Sequence, residues 1–326
     1  MPHVAHVGKV LPKIVALLLG SYLERERLLP ESQCGFRPGR STVDMIFVVR
    51  LLQELGRTQG VPLYTCFVDL QKAYESVDRS LLWVVLARFG VPPVMVDIVR
   101  QFHDEMRLCV RLGRGCRNDL RSARVFPRDV FLSRYCSTCS SQRFLILPRR
   151  NSEQTPRSKP LFSIRSTPLG VRDGDETPGT STTWKILYAD DATIICRSLA
   201  SLAKIIIAVV EVSGAYGLTV AERKTETMIM RPPHHAQEGL KIVTVSQRYA
   251  QTEQFVYLGG HITAEADAIA EIRRRTGTAW STLHRYANVV YDRPTTTMPM
   301  ALKVRMLEAE VREALLYGCS TWTLLT

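Results

Sequence analysis

The stretch KILYADDATIIC, from Lys185 to Cys196, places two carboxylates side by side inside a run that is otherwise mostly apolar. The β-branched and aromatic residues around the pair predict two strands, with Asp190 and Asp191 at the turn between them. Like charges in contact are costly unless a cation neutralises them, because each raises the pKa of the other. The alternative is that the two residues only form the turn, since Asp is common in turns.

A third acidic residue follows another predicted strand. The segment PLYTCFVDL, Pro62 to Leu70, is apolar and carries Asp69 near its far end. If this strand pairs beside the hairpin, Asp69 joins Asp190 and Asp191. Mg²⁺ takes a few carboxylate oxygens and keeps other positions for water and phosphate. We therefore expect the three carboxylates to hold two ions about 4 Å apart, as in enzymes that catalyse in-line displacement at phosphorus.

Helices interleaved with short strands predict an α+β fold for the chain. An amphipathic helix is expected to end near Arg27, and the alternating segment LTVAERKTETMIM, which contains Lys224, is predicted to be a strand. Asp78 is the expected N-cap of a further helix. The other predicted helices are Val43–Leu55, Pro93–Met106, Leu199–Ser213, Ala266–Tyr286 and Met298–Leu316.

Charge and cysteine content limit the class of protein. The net charge is +12, but the segment 117–165 holds eleven basic and three acidic residues, so +8 of that charge lies there. Basicity alone is therefore weak evidence for a nucleic-acid partner. Eight scattered cysteines do not form a disulfide framework, which indicates a reducing, intracellular compartment, either nucleus or cytoplasm. No run reaches the roughly 18 apolar residues of a membrane span, so no membrane is expected as a partner.

Four sequence elements resemble, in the same order, those of the reverse transcriptases of non-LTR, LINE-type retrotransposons. They are CGFRPGRSTVD, FVDLQKAYESVD, YADD and FVYLGG. The resemblance covers nearly the whole chain outside 117–183. It implies a right-hand polymerase fold of fingers, palm and thumb, with an antiparallel palm sheet flanked by helices. It also implies copying of RNA into DNA with two Mg²⁺ ions, for which Mn²⁺ is a possible substitute.

The resemblance also divides the chain into five parts. Residues 1–60 are a fingers remnant, 61–116 the first part of the palm, and 117–183 an irregular segment where a palm element is expected. The second part of the palm, with the primer grip, is 184–265. Thumb-like helices follow at 266–326.

The carboxylates and their neighbours acquire roles by this resemblance. Asp69 and Asp190 are similar to the two main catalytic metal ligands, and Asp191 to the third carboxylate. Leu70 would offer a backbone carbonyl. Tyr74 occupies the place of the side chain that stacks under the incoming sugar and excludes a 2′-hydroxyl. The alternative is that Tyr74 is a core aromatic residue of the following helix.

Three basic residues acquire roles in the same way. Arg37 and Arg40 lie in the fingers element that grips nucleotide phosphates or template, and the guanidinium fork suits phosphate oxygens. Lys224 lies where the family has its general-acid lysine, near the leaving pyrophosphate. The alternatives are two solvated loop arginines and a solvated strand lysine.

The primer-binding part of the resemblance is FVYLGG. Tyr257, Leu258 and Gly259 look like the primer grip, with Gly259 and Gly260 allowing backbone to approach the primer end. The alternative is a simple hairpin turn. Arg273–Arg275 would face duplex phosphates from a thumb helix, or form a solvated helical face.

One palm element of the family is missing. Between the two metal motifs the family has a Gln-Gly turn followed by a long apolar helix, and an Arg/Ser-rich stretch stands there instead. Permitted codons for Arg124 to Asp129, read one base earlier, give Q-G-L-P-K-G. We infer that the chain from Arg117 to before Trp184 is translated out of frame. Losing this template support raises the barrier by ~4 kcal/mol or more, about a thousandfold in rate, so impaired activity is expected.

The expected partners are an RNA template, a DNA primer and deoxynucleoside triphosphates. Two rival classes remain open at this point. One is a catalytically inactive relic that binds nucleic acid, and the other is an RNA-dependent RNA polymerase.

The frame hypothesis predicts the nucleotide sequence of the transcript. Read one base earlier through the region that encodes residues 117–183, the transcript is expected to encode Q-G-L-P-K-G followed by an apolar helix. Sequencing the transcript checks this. Codons that do not permit the shifted reading would refute the hypothesis.

Overall fold

A computed structural model describes most of the chain in seven ranges. Tyr74 and residues 122–182 fall outside them, so the predictions made for those residues are not addressed by the fold. The described ranges are 6–71, 78–102, 107–112, 115–121, 183–215, 217–233 and 248–322.

The described helices lie where helices were predicted, except that the helix that begins at Pro93 ends earlier and the last predicted helix is divided by a π-helical turn. α6 is followed by a π-helical turn, Ala287–Tyr291, and α7 runs into another, Leu307–Arg312. The helices are α1 His6–Arg25, α2 Thr42–Thr58, α3 Arg79–Arg88, α4 Pro93–Gln101, α5 Leu199–Ala215, α6 Ala268–Tyr286, α7 Met300–Met306 and α8 Glu313–Leu316.

The strands form one larger sheet and two hairpins. The larger sheet has the order β4–β5–β1–β6–β7, while β2 pairs with β3 and β8 with β9. An α+β fold is thus confirmed. The strands are β1 Leu63–Val68, β2 Arg107–Leu112, β3 Gly115–Arg121, β4 Thr183–Tyr188, β5 Asp191–Cys196, β6 Glu226–Met230, β7 Ala250–Gln251, β8 Gln254–Tyr257 and β9 Gly260–Thr263.

Local sequence signals explain where α3 and α4 begin. Asp78 is the N-cap of α3, and its carboxylate accepts a hydrogen bond from the Leu81 amide at 3.1 Å. α4 begins with Pro93 at its first position, where a missing N–H has no cost. The helix ends at Gln101 rather than near Met106 as predicted, and β2 follows from Arg107.

The predicted strand around Lys224 is wrong over its first half. Only Glu226–Met230 is a strand, and residues 221–224 form a turn closed by a hydrogen bond from the Lys224 amide to the Ala221 carbonyl at 3.1 Å. The backbone just before this turn pairs with the end of β1 instead: Val220 and Leu70 form an antiparallel bridge. Alternation in sequence did not reveal this competing partner.

The segment expected to be irregular begins differently from the prediction. Residues up to Arg121 belong to β3, which pairs antiparallel with β2 and sets Leu120 opposite Leu108. Thr183 already belongs to β4. The two ends of the predicted irregular segment are therefore strands, formed because a pairing partner lies within reach.

The chain divides into two compact units. The first comprises Met1–Ser41, Tyr64–Thr227 and Lys241–Ala250, and the second comprises the remaining residues. The core of the first unit packs one side of α1, α3, α4 and α5 against one face of the sheet. Its fully buried members include Ala16, Leu19, Leu23, Leu86, Cys66, Ile194, Cys196 and Leu202.

The second unit contains a buried ion pair that ties α6 to the β8–β9 hairpin. Glu271, only 1% exposed, accepts hydrogen bonds from the His261 amide and from Arg275 Nε, both at 2.6 Å. Arg275 also donates to the Gly259 carbonyl and lies over the Tyr317 ring, 4.6 Å from its centre. Arg275 is therefore a structural residue, and both predictions for it, phosphate contact and solvated face, are wrong.

No helix within the described ranges is long and apolar enough to cross a membrane.

We predict that Glu271→Ala destabilises the second unit by about 3–5 kcal/mol, because it leaves the buried Arg275 guanidinium without its counter-charge. Urea unfolding followed by circular dichroism measures this. Glu308→Ala is the control: its pair with Arg312 is about half exposed on both sides, so its loss is expected to cost at most about 1 kcal/mol. Equal losses in the two variants would contradict the assignment.

Candidate active site

The strand register brings the predicted acidic residues together. β1 and β5 are antiparallel, and the last registered pair sets Val68 opposite Ala192. One step further along both strands lie Asp69 and Asp191, so their Cα atoms are expected about 5 Å apart. Asp190 lies in the two-residue turn that joins β4 to β5, beside the closing pair of Tyr188 and Asp191. Asp69 and Asp191, which are 122 residues apart in sequence, thus meet at one end of adjacent strands.

The two faces of this strand pair have different surroundings. Residues directly opposite each other point to the same face, and alternate residues point to the other. Cys66, Val68, Ala192 and Ile194 face the apolar core of the first unit. Asp69 and Asp191 therefore share the opposite face with the alternate residues of their strands, which keeps their carboxylates out of that core.

A short loop after α5 fixes the backbone of Asp69. The Ala221 amide donates to the Asp69 carbonyl at 2.8 Å, and the Asp69 amide donates to the Thr225 hydroxyl oxygen at 3.2 Å. Thr225 is fully buried. Thr225 is a site residue that the sequence analysis missed, because its partner lies 156 residues away.

Lys224, on the turn of this loop, supplies the positive charge at the site. Its Nζ lies 3.6 Å from Asp69 Oδ1, while the lysine side chain remains 70% exposed. Burial raises the pKa of Asp191 from its ordinary 3.8 to about 6, aided by the charges of Asp190 and Asp69 and opposed by Lys224. The structure thus brings four of the predicted catalytic residues into one electrostatic cluster.

The donor set suits a hard divalent cation. Asp69 Oδ1 is buried and makes no hydrogen bond to any residue that the structure describes. Burial, and after it the charges of Asp190 and Asp69, raises the pKa of Asp191, so a nearby cation would favour the ionised form of this carboxylate. As the side chains are now oriented, no three His, Cys, Asp or Glu side chains of the described ranges form a ready metal site. Lys224 is the nearest counter-charge of Asp69 instead.

The backbone of Leu70 has an orientation that bears on its predicted role. The Gln71 amide donates to the Thr219 carbonyl, and the Ala221 amide to the Asp69 carbonyl, both at 2.8 Å. Leu70 and Val220 are thus a pair whose neighbours exchange the hydrogen bonds. In such a pair the Leu70 carbonyl points away from Val220, toward the β5 side of β1.

The predicted phosphate-binding arginines are engaged within their own loop. The Arg37 side chain is 7% exposed and donates to both carboxylate oxygens of Glu24, at 2.6 and 2.9 Å, and to the carbonyls of Pro30 and Gln33. Arg40 pairs with Glu31, whose side chain is 48% exposed. Arg37 is therefore neither a solvated charge nor available to a ligand as it stands, and Arg40 is partly accessible.

The predicted primer grip forms the β8–β9 turn of the second unit. Leu258 and Gly259 both have positive φ, 47° and 83°, which is typical of a type I′ hairpin turn. A Cβ on Gly259 would lie 3.3 Å from the Tyr317 ring, and one on Gly260 would lie 2.9 Å from Ile46. Internal packing therefore explains why both positions are glycine. The predicted approach of a primer end is not required to explain them.

Polar groups of the second unit also occupy the carbonyls of this turn. The Tyr317 hydroxyl donates to the Leu258 carbonyl, and Arg274 donates to the Gly259 carbonyl, both at 2.8 Å. Tyr257 is 3% exposed. Side chains from α6 and from the residue that follows α8 therefore bind the backbone of this turn.

Sequence comparison finds transposon-derived relatives at low identity. The chain is 24% identical over 194 residues to the 149 kDa protein of transposon TX1 from Xenopus laevis, covering 60% of this chain and 13% of that protein. It is 23% identical over 136 residues to the transposon-derived protein F52C9.6 of Caenorhabditis elegans, covering 42% and 47%. The chain thus spans less than half the length of each. No protein-family profile matches it.

Solved structures of telomerase are distantly similar. Apo telomerase from Candida tropicalis gives a TM-score of 0.47 at 12% identity, over 95% of this chain and 49% of that one. Telomerase from Candida albicans with a fragment of telomeric RNA gives 0.42 at 11% identity, over 97% and 49%. Scores this low do not by themselves assign an activity or a fold.

We predict that Asp191→Asn stabilises the protein near pH 8 by about 1–3 kcal/mol when divalent cations are absent. The folded state holds the Asp191 proton more tightly than the unfolded chain, because the pKa rises from 3.8 to about 6. The ionised carboxylate therefore lowers the free energy of unfolding. This cost is absent below pH 3.8 and complete above about pH 6. The gain is expected to vanish near pH 3.5.

Urea unfolding at several pH values measures this gain. Asp97→Asn is the control, since the Asp97 side chain is 63% exposed and its change is expected to stay within about 0.5 kcal/mol at each pH. A gain for Asp191→Asn that is independent of pH would disagree with the electrostatic cause.

Proposed function

We propose that this chain is the RNA-directed DNA polymerase, or reverse transcriptase, domain of a retrotransposon, with impaired activity. The observation that carries the proposal is the register of β1 against β5, which sets Asp69 opposite Asp191 with Asp190 in the adjoining turn. Transposon-derived relatives support the same origin. The partners we propose are an RNA template, a DNA primer and deoxynucleoside triphosphates.

Two Mg²⁺ ions are the proposed cofactors, with Mn²⁺ as a substitute. Asp69, Asp190 and Asp191 would hold them, and the Leu70 carbonyl, which points to the β5 side of its strand, would add a ligand. When bound, the ions would activate the attacking hydroxyl and neutralise charge on the leaving phosphates. Their charge would also relieve the mutual repulsion of the carboxylates.

Lys224 is the proposed general acid. Its ammonium group already lies 3.6 Å from Asp69 Oδ1, on a side chain that is mostly exposed and free to reorient. Once cations replace it as the counter-charge of Asp69, it is available to donate a proton to the leaving pyrophosphate. Tyr74 lies outside the described residues, and its role beneath the incoming sugar stays a prediction.

The remaining roles follow the right-hand division of the chain. We assign the palm to the larger sheet, the fingers remnant to α1, the loop after it and α2, and the thumb to α6–α8. Arg40 stays in the proposed nucleotide-binding set, because its partner Glu31 is half exposed. Arg37 is assigned instead to support of its loop. Tyr257, Leu258 and Gly259 are proposed as a primer-binding element that acts through its fixed shape.

Primer extension tests the proposal. With Mg²⁺, an RNA template, a DNA primer and deoxynucleotides, we expect slow extension by the chain, at least 10³-fold slower in Asp190→Asn and unchanged in Asp97→Asn. A chain in which residues 117–183 are read in the other frame is expected to extend about 10³-fold faster, because the template support is restored.

Each rival function has its own signature in this assay. RNA retained without product, in both the given and the restored chain, would support the inactive relic. Product made only from ribonucleotides would support an RNA-copying RNA polymerase. Extension that survives Asp190→Asn would overturn the proposed metal site.

A further inference from the structure

Gln33, in the loop between α1 and α2, contacts the turn that carries Asp190. The side chain is fully buried. Its Oε1 accepts hydrogen bonds from the Ala189 amide at 3.1 Å and from the Gly35 amide at 2.7 Å, and its Nε2 donates to the Ala189 carbonyl at 3.4 Å. One side chain thus binds the peptide groups on both sides of Ala189.

Ala189 is a residue whose conformation requires outside support. It is the first residue of the two-residue turn between β4 and β5 and has a φ of 58°. This left-handed region is unfavourable for any residue with a Cβ and persists only where the surroundings determine it. The Ala189 carbonyl and the Asp190 amide belong to one planar peptide group. Because this plane includes the Asp190 Cα atom, fixing the group also fixes the atom from which the Asp190 side chain extends.

The backbone around Gln33 holds its side chain in register with the turn. The Cys34 amide donates to the Leu187 carbonyl, and the Leu187 amide donates to the Ser32 carbonyl, both at 2.9 Å. Gln33 and Leu187 form a parallel bridge. Residues 32–34 thus act as a short strand on the outer edge of β4, aligned with the approach to the acidic turn.

Two further residues make this arrangement specific. A Cβ on Gly35 would lie 2.3 Å from the Ala189 nitrogen, so only glycine permits the loop to come this close. Arg37 donates to the Gln33 carbonyl at 3.0 Å while it is anchored on Glu24 of α1. A continuous series of contacts therefore runs from α1 through Arg37 and Gln33 to the turn.

We propose that Gln33 is a positioning residue for the metal-binding carboxylates, acting through the peptide groups on either side of Ala189. This inference rests on the proposed function, because it concerns the same cations. A neutral amide suits the task, since it both accepts and donates without adding charge beside Asp190 and Asp191. Such supporting hydrogen bonds orient ligands and commonly change metal affinity by 10–100-fold when removed.

The test measures Mn²⁺ binding by electron paramagnetic resonance on the full chain. Gln33→Met keeps the length of the side chain and removes both hydrogen-bonding functions, and we expect affinity to fall by 10-fold or more. Gln53→Met is the matched control. Gln53 is a 2% exposed glutamine of the second unit that donates to the carbonyls of Thr263 and Ala264. Its loss is expected to leave Mn²⁺ affinity within about twofold.

Gln33→Glu separates the two hydrogen-bonding functions. Its carboxylate still accepts the two amide hydrogen bonds but cannot donate to the Ala189 carbonyl, so Mn²⁺ affinity is expected to fall by less than in Gln33→Met. A merely structural role predicts the same loss of affinity in both Gln33 variants. Equal losses in the two folded variants, or unchanged binding in folded Gln33→Met, would overturn the proposal. If Gln33→Met does not fold, a loss of about 10-fold or more in folded Gln33→Glu would overturn it.

Amide hydrogen exchange separates this inference from the proposed function. Exchange of the Ala189 amide is expected to be slow in the unaltered chain and in Gln33→Glu, and at least 10-fold faster in Gln33→Met. If the unaltered chain shows no Mn²⁺ binding that Asp190→Asn abolishes, the metal site itself fails. If the site binds Mn²⁺ but Ala189 exchange is the same in all three chains, the role of Gln33 fails alone.

Discussion

The antiparallel register of β1 against β5 places like charges at one end of adjacent strands, and the structure around that end compensates for them. The pairing is dictated by the apolar face, where Cys66 and Val68 meet Ala192 and Ile194 in the core. Slipping by one residue would turn those side chains out of the core. The hydrophobic pattern therefore fixes the position of Asp69 beside Asp191, whatever their mutual repulsion costs.

Neighbouring residues support the acidic end from both sides of the strand pair. On one side, the loop that carries Lys224 and Thr225 fixes the Asp69 backbone and brings an ammonium group to its carboxylate. On the other, Gln33 fixes the turn that carries Asp190. Thr225 and Gln33 act on the backbone and constrain where the carboxylates lie, whereas Lys224 is paired with the Asp69 carboxylate itself. Cations at the proposed site would have to replace that lysine as the counter-charge.

The parts of this arrangement that depend on local sequence were predictable, and those that depend on distant contacts were not. The hairpin around Asp190, the α+β pattern and the cap at Asp78 follow from periodicity and turn chemistry. Gln33 gives no local signal, because its partner is 156 residues away. The burial of the Arg37 side chain was not predictable either. Guanidinium groups in Gly/Pro-rich loops suit phosphates and carboxylates equally, and only the fold places Glu24 within reach.

The arginines in the described ranges also change how the net charge of the chain should be interpreted. Arg37 and Arg275 are almost completely buried in internal ion pairs, and the Arg231 side chain is 10% exposed and paired with Glu253. Most of the +12 charge was already assigned to residues 117–165. The described ranges thus offer fewer available cations than composition suggests. Under the proposed function, divalent ions at the carboxylates would neutralise part of the charge of a polyphosphate ligand, so the geometry of the acidic turn would limit the activity.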